Sequence, residues 1–509
     1  MNNFMSAIKN ELNNELSYTE NSALCYRTTG KKLLDLNFSV ASLRGASEQT
    51  IINKFMDAYW EDPIVAMKWL FYTRDCREGL GERRLFRIIL KHLANDRPEV
   101  IKAVFAFAPI YGRYDDLWCL LDTDLKQGVI FAVKAQLSED VTNMRNNKSI
   151  SLLCKWLPSE NASSKETKRY ATIIRKGLDM TSRNYRKMLS EMRKYIEVVE
   201  CKMSAKQWNE IDYEDVPSRA NLIYNNAFLR NDEDRRRAYL GTLEKGEAKI
   251  NAGTLFPHDI VHKYMAGRGY WGSTLKSVDA TLEGLWKALP DTVKGAENTI
   301  VVADGSGSMM CNVGGGTSVT ALDVANALAI YFAERSSGEF KDKYITFSSR
   351  PQLVDFSKAK TLKDKIQIAL SHSEVANTNI EATFDLILRT AVNNRMSQED
   401  MPKNILIISD MEFDSATYNR SNVTLFGAIA KKYAMYGYKL PRLIFWNVNS
   451  RTGTIPVKEN DLGVALVSGF STNIVNMVMS NKTDPYECLL DALNTERYQP
   501  IGDAIKSVI

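Results

Sequence analysis

The stretch Asn298-Thr-Ile-Val-Val-Ala-Asp304-Gly-Ser306-Gly-Ser308-Met309 restricts the fold more tightly than any other part of the chain. Ile300 to Ala303 is a short apolar run that suits a strand buried on both faces, as in a parallel sheet. It stops at an acid, after which Gly305 and Gly307 let the backbone turn tightly. Asp304, Ser306 and Ser308 alternate, so one turn can aim three oxygens at a single point. An all-oxygen cluster at the carboxyl end of such a strand suits a hard divalent cation, Mg²⁺ first and Mn²⁺ or Ca²⁺ next. Taken alone, these residues also read as a hairpin turn with a capping serine.

The downstream chain separates the two readings. Pro402-Lys-Asn-Ile-Leu-Ile-Ile-Ser-Asp410 is a second buried-strand run ending in an acid. Between the two runs, Asn377-Thr378-Asn379 precedes a helical pattern from Ile380 to Asn394 and can bring one more hydroxyl to the same sheet edge. Here the chain resembles the von Willebrand factor A domain, whose metal-ion-dependent adhesion site has the pattern D-x-S-x-S, then a Thr, then an Asp. The pattern matches at Asp304, Ser306, Ser308, Thr378 and Asp410. The resemblance implies hydroxyl ligation by Ser306, Ser308 and Thr378, with Asp304 and Asp410 acting largely through metal-bound waters.

The rest of the second half alternates strand and helix. Helices are expected at Asp323 to Arg335, Leu362 to Leu370, Val423 to Tyr436 and Pro485 to Leu493. Strands are expected at Lys343 to Phe347, Pro351 to Phe356, Arg442 to Asn447 and Gly463 to Ser468. This is the pattern of a doubly wound sheet with one short antiparallel strand, and its ligand site lies outside the strand carboxyl ends. The insert Cys311 to Thr320, with its three glycines Gly314 to Gly316, is expected to form a mobile rim beside the metal.

Residues 1 to about 270 read instead as helix after helix, among them Thr50 to Trp60, Asp62 to Tyr72, Glu82 to Leu93, Pro98 to Phe107 and Lys126 to Leu137. Short polar breaks between them suggest an irregular helical repeat of the HEAT kind. The expected organisation is a helical domain over 1–270, a junction over 271–297 and an A-like domain over 298–509. Pro257-His258-Asp259-Ile260-Val261-His262 sets two histidines four apart on a helix, a spacing that can grip zinc, but no third ligand is evident nearby.

Charge is distributed unevenly. The chain nets +5, whereas residues 165–194 alone carry ten bases against three acids, a net of +7. The bases are Lys165, Lys168, Arg169, Arg175, Lys176, Arg183, Arg186, Lys187, Arg193 and Lys194. A concentrated basic face is the electrostatic footprint of phosphate binding, and the interleaved Tyr170, Tyr185 and Tyr195 can stack on bases. The same segment also reads as a solvated helical face with its tyrosines packed inward. A second cluster, Arg74, Arg77, Arg83, Arg84, Arg87 and Lys91, surrounds a Gly-Leu-Gly turn. It fits either forked phosphate contacts or internal salt bridges to Asp75, Glu78 and Glu82. The seven cysteines are widely spaced without a C-x-x-C pair, the N-terminus lacks a signal-peptide pattern, and no apolar run approaches a membrane span. A cytoplasmic protein with reduced thiols is expected.

A helical-repeat half joined to an A-like half resembles the Ro autoantigen (TROVE) proteins. The chain is more similar still to a Ro-like family of unassigned function found in plants, fungi, bacteria and phages. That similarity is carried by Arg74-Asp-Cys-Arg-Glu-Gly-Leu-Gly-Glu-Arg, Lys155-Trp-Leu-Pro-Ser, Val199-Glu-Cys-Lys-Met-Ser-Ala-Lys-Gln-Trp208, Ile250-Asn-Ala-Gly-Thr-Leu-Phe-Pro-His-Asp259 and Ser409-Asp-Met-Glu-Phe-Asp414. In Ro proteins the repeats close into a ring, single-stranded ends of small structured RNAs thread the hole, and duplex RNA lies on a basic outer face. The resemblance implies RNA contacts by Lys165 to Lys194 and by Arg74 to Arg87. The expectation is a non-catalytic RNA-binding scaffold or chaperone with a Mg²⁺-dependent adhesion site. The alternative is an adhesion module without RNA, in which a partner protein donates an acidic ligand. Neither a Ser/His/Asp order nor a nucleotide-binding loop points to an enzyme.

Overall fold

The computed structural model describes residues 16–265, 275–293, 298–347, 350–372, 379–414, 424–458, 463–475 and 484–509. Two compact units divide the chain, the first formed by residues 1–61 and 255–494 and the second by 62–254 and 495–509. These units cut across the expected boundaries. The first sixty residues belong with the sheet, and the last fifteen belong with the helices.

The first unit is built on a six-stranded sheet. A separate hairpin of β1 (Leu16–Tyr18) and β2 (Leu24–Tyr26) comes first in the chain. The sheet contains β3 (Thr299–Asp304), β4 (Lys343–Phe347), β5 (Leu353–Asp355), β6 (Asn404–Ser409), β7 (Arg442–Asn447) and β8 (Val464–Ser468), in the order β5-β4-β3-β6-β7-β8. All neighbours run parallel except β5, which pairs antiparallel with β4. The central strands are apolar because both faces are covered: every residue of β3 and all but the first of β6 and β7 are buried. The helix Ala321–Arg335 packs against β3 and is buried from Ala321 to Ala333, which explains its nearly uninterrupted apolar sequence. It starts at a capping box between Thr320 and Asp323.

The chain leaves β3 toward one edge of the sheet, through β4 and β5, and then returns to β6 and proceeds toward the other edge. The reversal therefore falls between β3 and β6, where open α/β sheets form a crevice at the strand carboxyl ends.

The N-terminal segment completes this unit. Helix Lys32–Phe38 lies at the carboxyl ends of the last two strands: the Asn447 amide donates to the Phe38 carbonyl at 2.9 Å, and the Ala41 N–H donates to the Ser468 hydroxyl at 2.9 Å. Ahead of it, the β1–β2 turn is held by Glu412, whose carboxylate is fully buried. It accepts from the Glu20 N–H at 2.8 Å, the Arg451 and Thr452 N–H groups at 2.9 Å each, and the Thr452 hydroxyl. The Thr19 hydroxyl adds a bond to the Phe413 carbonyl, and the backbones of Tyr26 and Ile455 exchange two more. None of this was legible as periodicity, because the hairpin strands are three residues each.

The second unit is helical, with no strand among its described residues. Its helices include Pro63–Arg74, Arg83–Asp96, Lys126–Arg145, Lys165–Gly177, Ser182–Tyr195, Ser218–Asn231 and the C-terminal Gln499–Ile505. The apolar run near Trp118 is a 3₁₀ helix over Tyr114–Asp122. No described helix is long and apolar enough to cross a membrane, and all seven cysteines are free thiols.

Glu412 joins three chain segments, so its truncation has a defined cost. Glu412→Ala leaves several buried donors without an acceptor and is expected to destabilise the first unit by about 2–4 kcal/mol. Urea denaturation measures the loss, and limited proteolysis should show earlier cleavage within residues 16–26.

Candidate functional site

Asp304 is the last residue of β3, and Asp410 follows the last residue of β6, so adjacent parallel strands deliver both acids to the reversal point. Asp304 is 1% exposed and Asp410 2%. Ser409 lies one step beyond the Ala303–Ile408 pair of the sheet, and its hydroxyl donates to Asp304 Oδ2 at 2.6 Å. The Ser306 N–H donates to Asp304 Oδ1 at 2.9 Å, closing the turn that follows β3. Ser306 and Ser308 then share a hydroxyl hydrogen bond of 2.9 Å, and the Ser308 hydroxyl lies near enough to Asp410 to hold its carboxyl pKa down. Met411, in the left-handed region at φ 65°, turns the chain sharply after Asp410.

Four of the five expected ligand positions thus converge. The fifth, Thr378, lies outside the described residues; the next residue, Asn379, caps the helix Ile380–Asn393 by accepting from the Ala382 N–H at 3.1 Å.

The electrostatics of the pair are unfavourable as they stand. Burial, and then the neighbouring Asp410, push the Asp304 carboxyl well above the usual carboxylate range. Burial is also the largest cause raising Asp410, which the Ser308 hydroxyl partly offsets. The cation beside them is Arg451, 3.7 Å from Asp410, and its guanidinium lies closer to Glu20 at 2.5 Å. Two buried acids and two serine hydroxyls form an oxygen-only set that fits a hard dication. Among the described residues no group of three or more His, Cys, Asp or Glu side chains is placed to hold a metal, and this set contains only two such side chains, both aspartates.

Sequence reasoning missed Ser409, Arg451 and Glu20. Ser409 was visible in the strand that carries Asp410, but its partner is set by the parallel register, which one sequence does not give. Glu412 and Asp414 hold the N-terminal hairpin: Glu412 accepts from the Glu20 N–H, and Asp414 forms a β-bridge with Ser22. The insert Cys311 to Thr320, expected as a mobile rim, is pinned. Asn312 bridges Thr320, and a Cβ on Gly314 would meet the Gly45 nitrogen at 2.5 Å. The two histidines do not form a metal pair. His262 bonds Asp323 at 2.7 Å and Ser318 at 3.0 Å, while His258 packs against Phe256 and Phe470.

In the basic clusters many of the arginines are paired with groups of the protein itself, whereas most of the lysines face solvent. Arg74, 3% exposed, donates to Asp116 at 2.7 Å; Arg87 pairs with Asp116 and Asp115, and Arg83 lies 3.8 Å from Asp115. Arg77 and Arg84 also take part in interactions within the protein. Arg74 is therefore a structural group and not a phosphate contact. In the second stretch, Arg169 forks onto Asp122 at 2.5 and 2.8 Å. Arg175 pairs with Glu160 at 2.8 Å, and Arg193 caps the Cys154 and Leu157 carbonyls. Tyr185 is fully buried and donates to the Pro158 carbonyl, so it cannot stack on a base. Lys165, Lys168, Lys176, Arg183, Arg186, Lys187 and Lys194 remain exposed. Of these, Lys187 faces Glu191 at 3.7 Å.

Two family models match, both described as domains of unknown function. DUF7788 covers residues 298–498, and DUF2828 covers 19–106 and 129–298, about half of the chain. The chain belongs to the DUF2828 family. The two family matches meet at residue 298, at the start of the strand that carries Asp304. An uncharacterized protein of Acanthamoeba polyphaga mimivirus is 29% identical over 96% of this chain and 88% of its own length. Neither family description names the Ro or von Willebrand factor A proteins.

The Arg74–Asp116–Arg87 network yields a stability test. Asp116→Ala strands a buried guanidinium and is expected to cost the helical unit about 3–5 kcal/mol, read as a lower urea midpoint. Reversing the exposed Arg186 and Lys187 to Glu should leave that midpoint within about 0.5 kcal/mol.

Proposed function

We propose that the first unit is a von Willebrand factor A-like domain and that the DUF2828 chain is a non-catalytic binding protein using a metal-ion-dependent adhesion site. The observation that carries this reading is the meeting of Asp304, Ser306, Ser308 and Asp410 at the reversal point of the sheet. Ser306 and Ser308 would ligate Mg²⁺, or Mn²⁺ or Ca²⁺, directly, with Thr378 as a third hydroxyl. Asp304 and Asp410 would supply the compensating charge. A dication held there would attract a carboxylate from a partner protein. The side chains around the site hold it in place: Ser409 orients Asp304, and Glu412 fixes the chain immediately after Asp410.

A second reading concerns the helical unit, as a Ro-like irregular helical repeat that binds small structured RNA with single-stranded ends. It rests on the exposed bases of helices Lys165–Gly177 and Ser182–Tyr195. Lys165, Lys168 and Lys176 recur at helical spacing on the first, as do Arg183, Arg186 and Lys194 on the second. Such contacts give sequence-independent affinity that falls with salt. Arg169 and Arg175 would contribute only by leaving Asp122 and Glu160.

Magnesium is expected to raise the thermal midpoint of the full-length protein saturably, and Asp304→Ala is expected to abolish that rise; differential scanning calorimetry with and without EDTA measures both. An unchanged midpoint across the magnesium titration in the unsubstituted protein would sink the adhesion reading. For RNA, fluorescence anisotropy with a labelled hairpin bearing a single-stranded tail should show steep salt dependence. Lys176→Glu with Arg186→Glu should lower the log–log slope by about 2. Equal slopes would remove these helices from the RNA reading.

A further inference from the structure

A cavity of about 290 Å³ opens beside the carboxyl end of β7, apart from the Asp304–Asp410 pair. Its wall includes Asn447, the last residue of β7, and the side chains of Arg27, Thr28, Lys32, Asp35, Lys54 and Asp57. The N-terminal segment supplies all six, so the site arises where helices Lys32–Phe38 and Glu48–Glu61 cover the strand ends. Three cations face two carboxylates. One of those carboxylates is already satisfied: Asp35 accepts from the Thr28 hydroxyl and from the Thr29 N–H and hydroxyl at 2.7 Å each. Asn447 is likewise occupied, donating to Phe38 and accepting from the Asn449 and Ser450 N–H groups.

Lys54 stands apart from these. Its ammonium is half-buried in the wall and, among the described residues, has no hydrogen bond or ion pair. Burial pushes its pKa down, with Asp35 and Asp57 opposing from a distance and Lys32 adding to the repulsion. A structural lysine here would close onto Asp57, one helical turn away. An ammonium left desolvated and unpaired inside a cavity calls for an anion from outside the chain. The volume lies at the small end of ligand cavities, and the carboxyl edge of an α/β sheet is where such ligands sit.

We propose that this cavity binds a sugar phosphate, its phosphate held by Lys54, Lys32 and Arg27 and its hydroxyls directed to Asp57 and Thr28. The sugar phosphate is either a free molecule or the ribose phosphate of a mononucleotide. The proposal is independent of the dication reading.

Isothermal titration of the full-length protein in EDTA, with ribose 5-phosphate, AMP and ribose as probes, tests it. Saturable binding of ribose 5-phosphate or AMP, stronger than that of ribose, is expected, and the tighter of the two identifies the source. Lys54→Met keeps the length of the side chain while removing an unpaired charge, so the protein should stay folded. It should weaken binding about tenfold or more. Lys32→Ala, at an exposed position, should weaken it severalfold. No saturable binding up to about 10 mM, equal affinity for ribose, or unchanged affinity in Lys54→Met overturns the proposal.

Discussion

Two carboxylates buried side by side in a sheet are an electrostatic liability, and the first unit is organised around that pair. Asp304 and Asp410 cannot move apart, because parallel pairing of β3 and β6 fixes their strands in register. They cannot retreat into water, because the surrounding chain buries both. Among the described residues, the protein supplies the pair with hydroxyl and amide donors, from Ser409, Ser306, Ser308 and the Glu412 N–H, and with one guanidinium at 3.7 Å. Neutral donors lower a carboxyl pKa but do not neutralise two charges. A dication does, and oxygen ligands at this place suit one.

The N-terminal segment gives the same sheet edge its second character. A parallel sheet exposes all its strand carboxyl ends on one side, and the ends of β7 and β8 need covering as much as those of β3 and β6. Helix Lys32–Phe38, bonded to Asn447, and Ala41 just after it, bonded to Ser468, cover them, and the β1–β2 turn is tied in through Glu412. One consequence is that Glu20 meets Arg451 beside Asp410. Another is that a cavity lined by cations forms where the cover is incomplete.

Much of the sheet was legible in the sequence because its strands are uninterrupted apolar runs ending in acids or turns. Lys343–Phe347 and Arg442–Asn447 fall at the expected residues, and β5 is the short antiparallel strand. The alternation of Asp304, Ser306 and Ser308 was legible for the same local reason. What was not legible depends on contacts distant in sequence. The role of Ser409 requires the β3–β6 register, and that of Glu412 requires loops almost four hundred residues apart. The assignment of residues 495–509 to the helical unit follows from Arg497, which forks onto Asp75, and Tyr498, which donates to the same carboxylate at 3.0 Å. No periodicity announces such pairs.

The basic residues of the helical unit illustrate why a charge count overstates a binding surface. Arg74, Arg87, Arg175, Arg193 and Arg497 turn inward to carboxylates or carbonyls, and the exposed Arg169 forks onto Asp122 at the surface. A planar guanidinium with several fixed donors satisfies such partners in pairs, and its weaker hydration makes the transfer from water less costly than for an ammonium. The lysines of the same helices stay in solvent. The net charge of the stretch is unchanged by this sorting, but its geometry is not. The outward charge is carried mainly by flexible point cations along two helix faces, which suits loose tracking of a phosphate backbone better than the reading of individual bases.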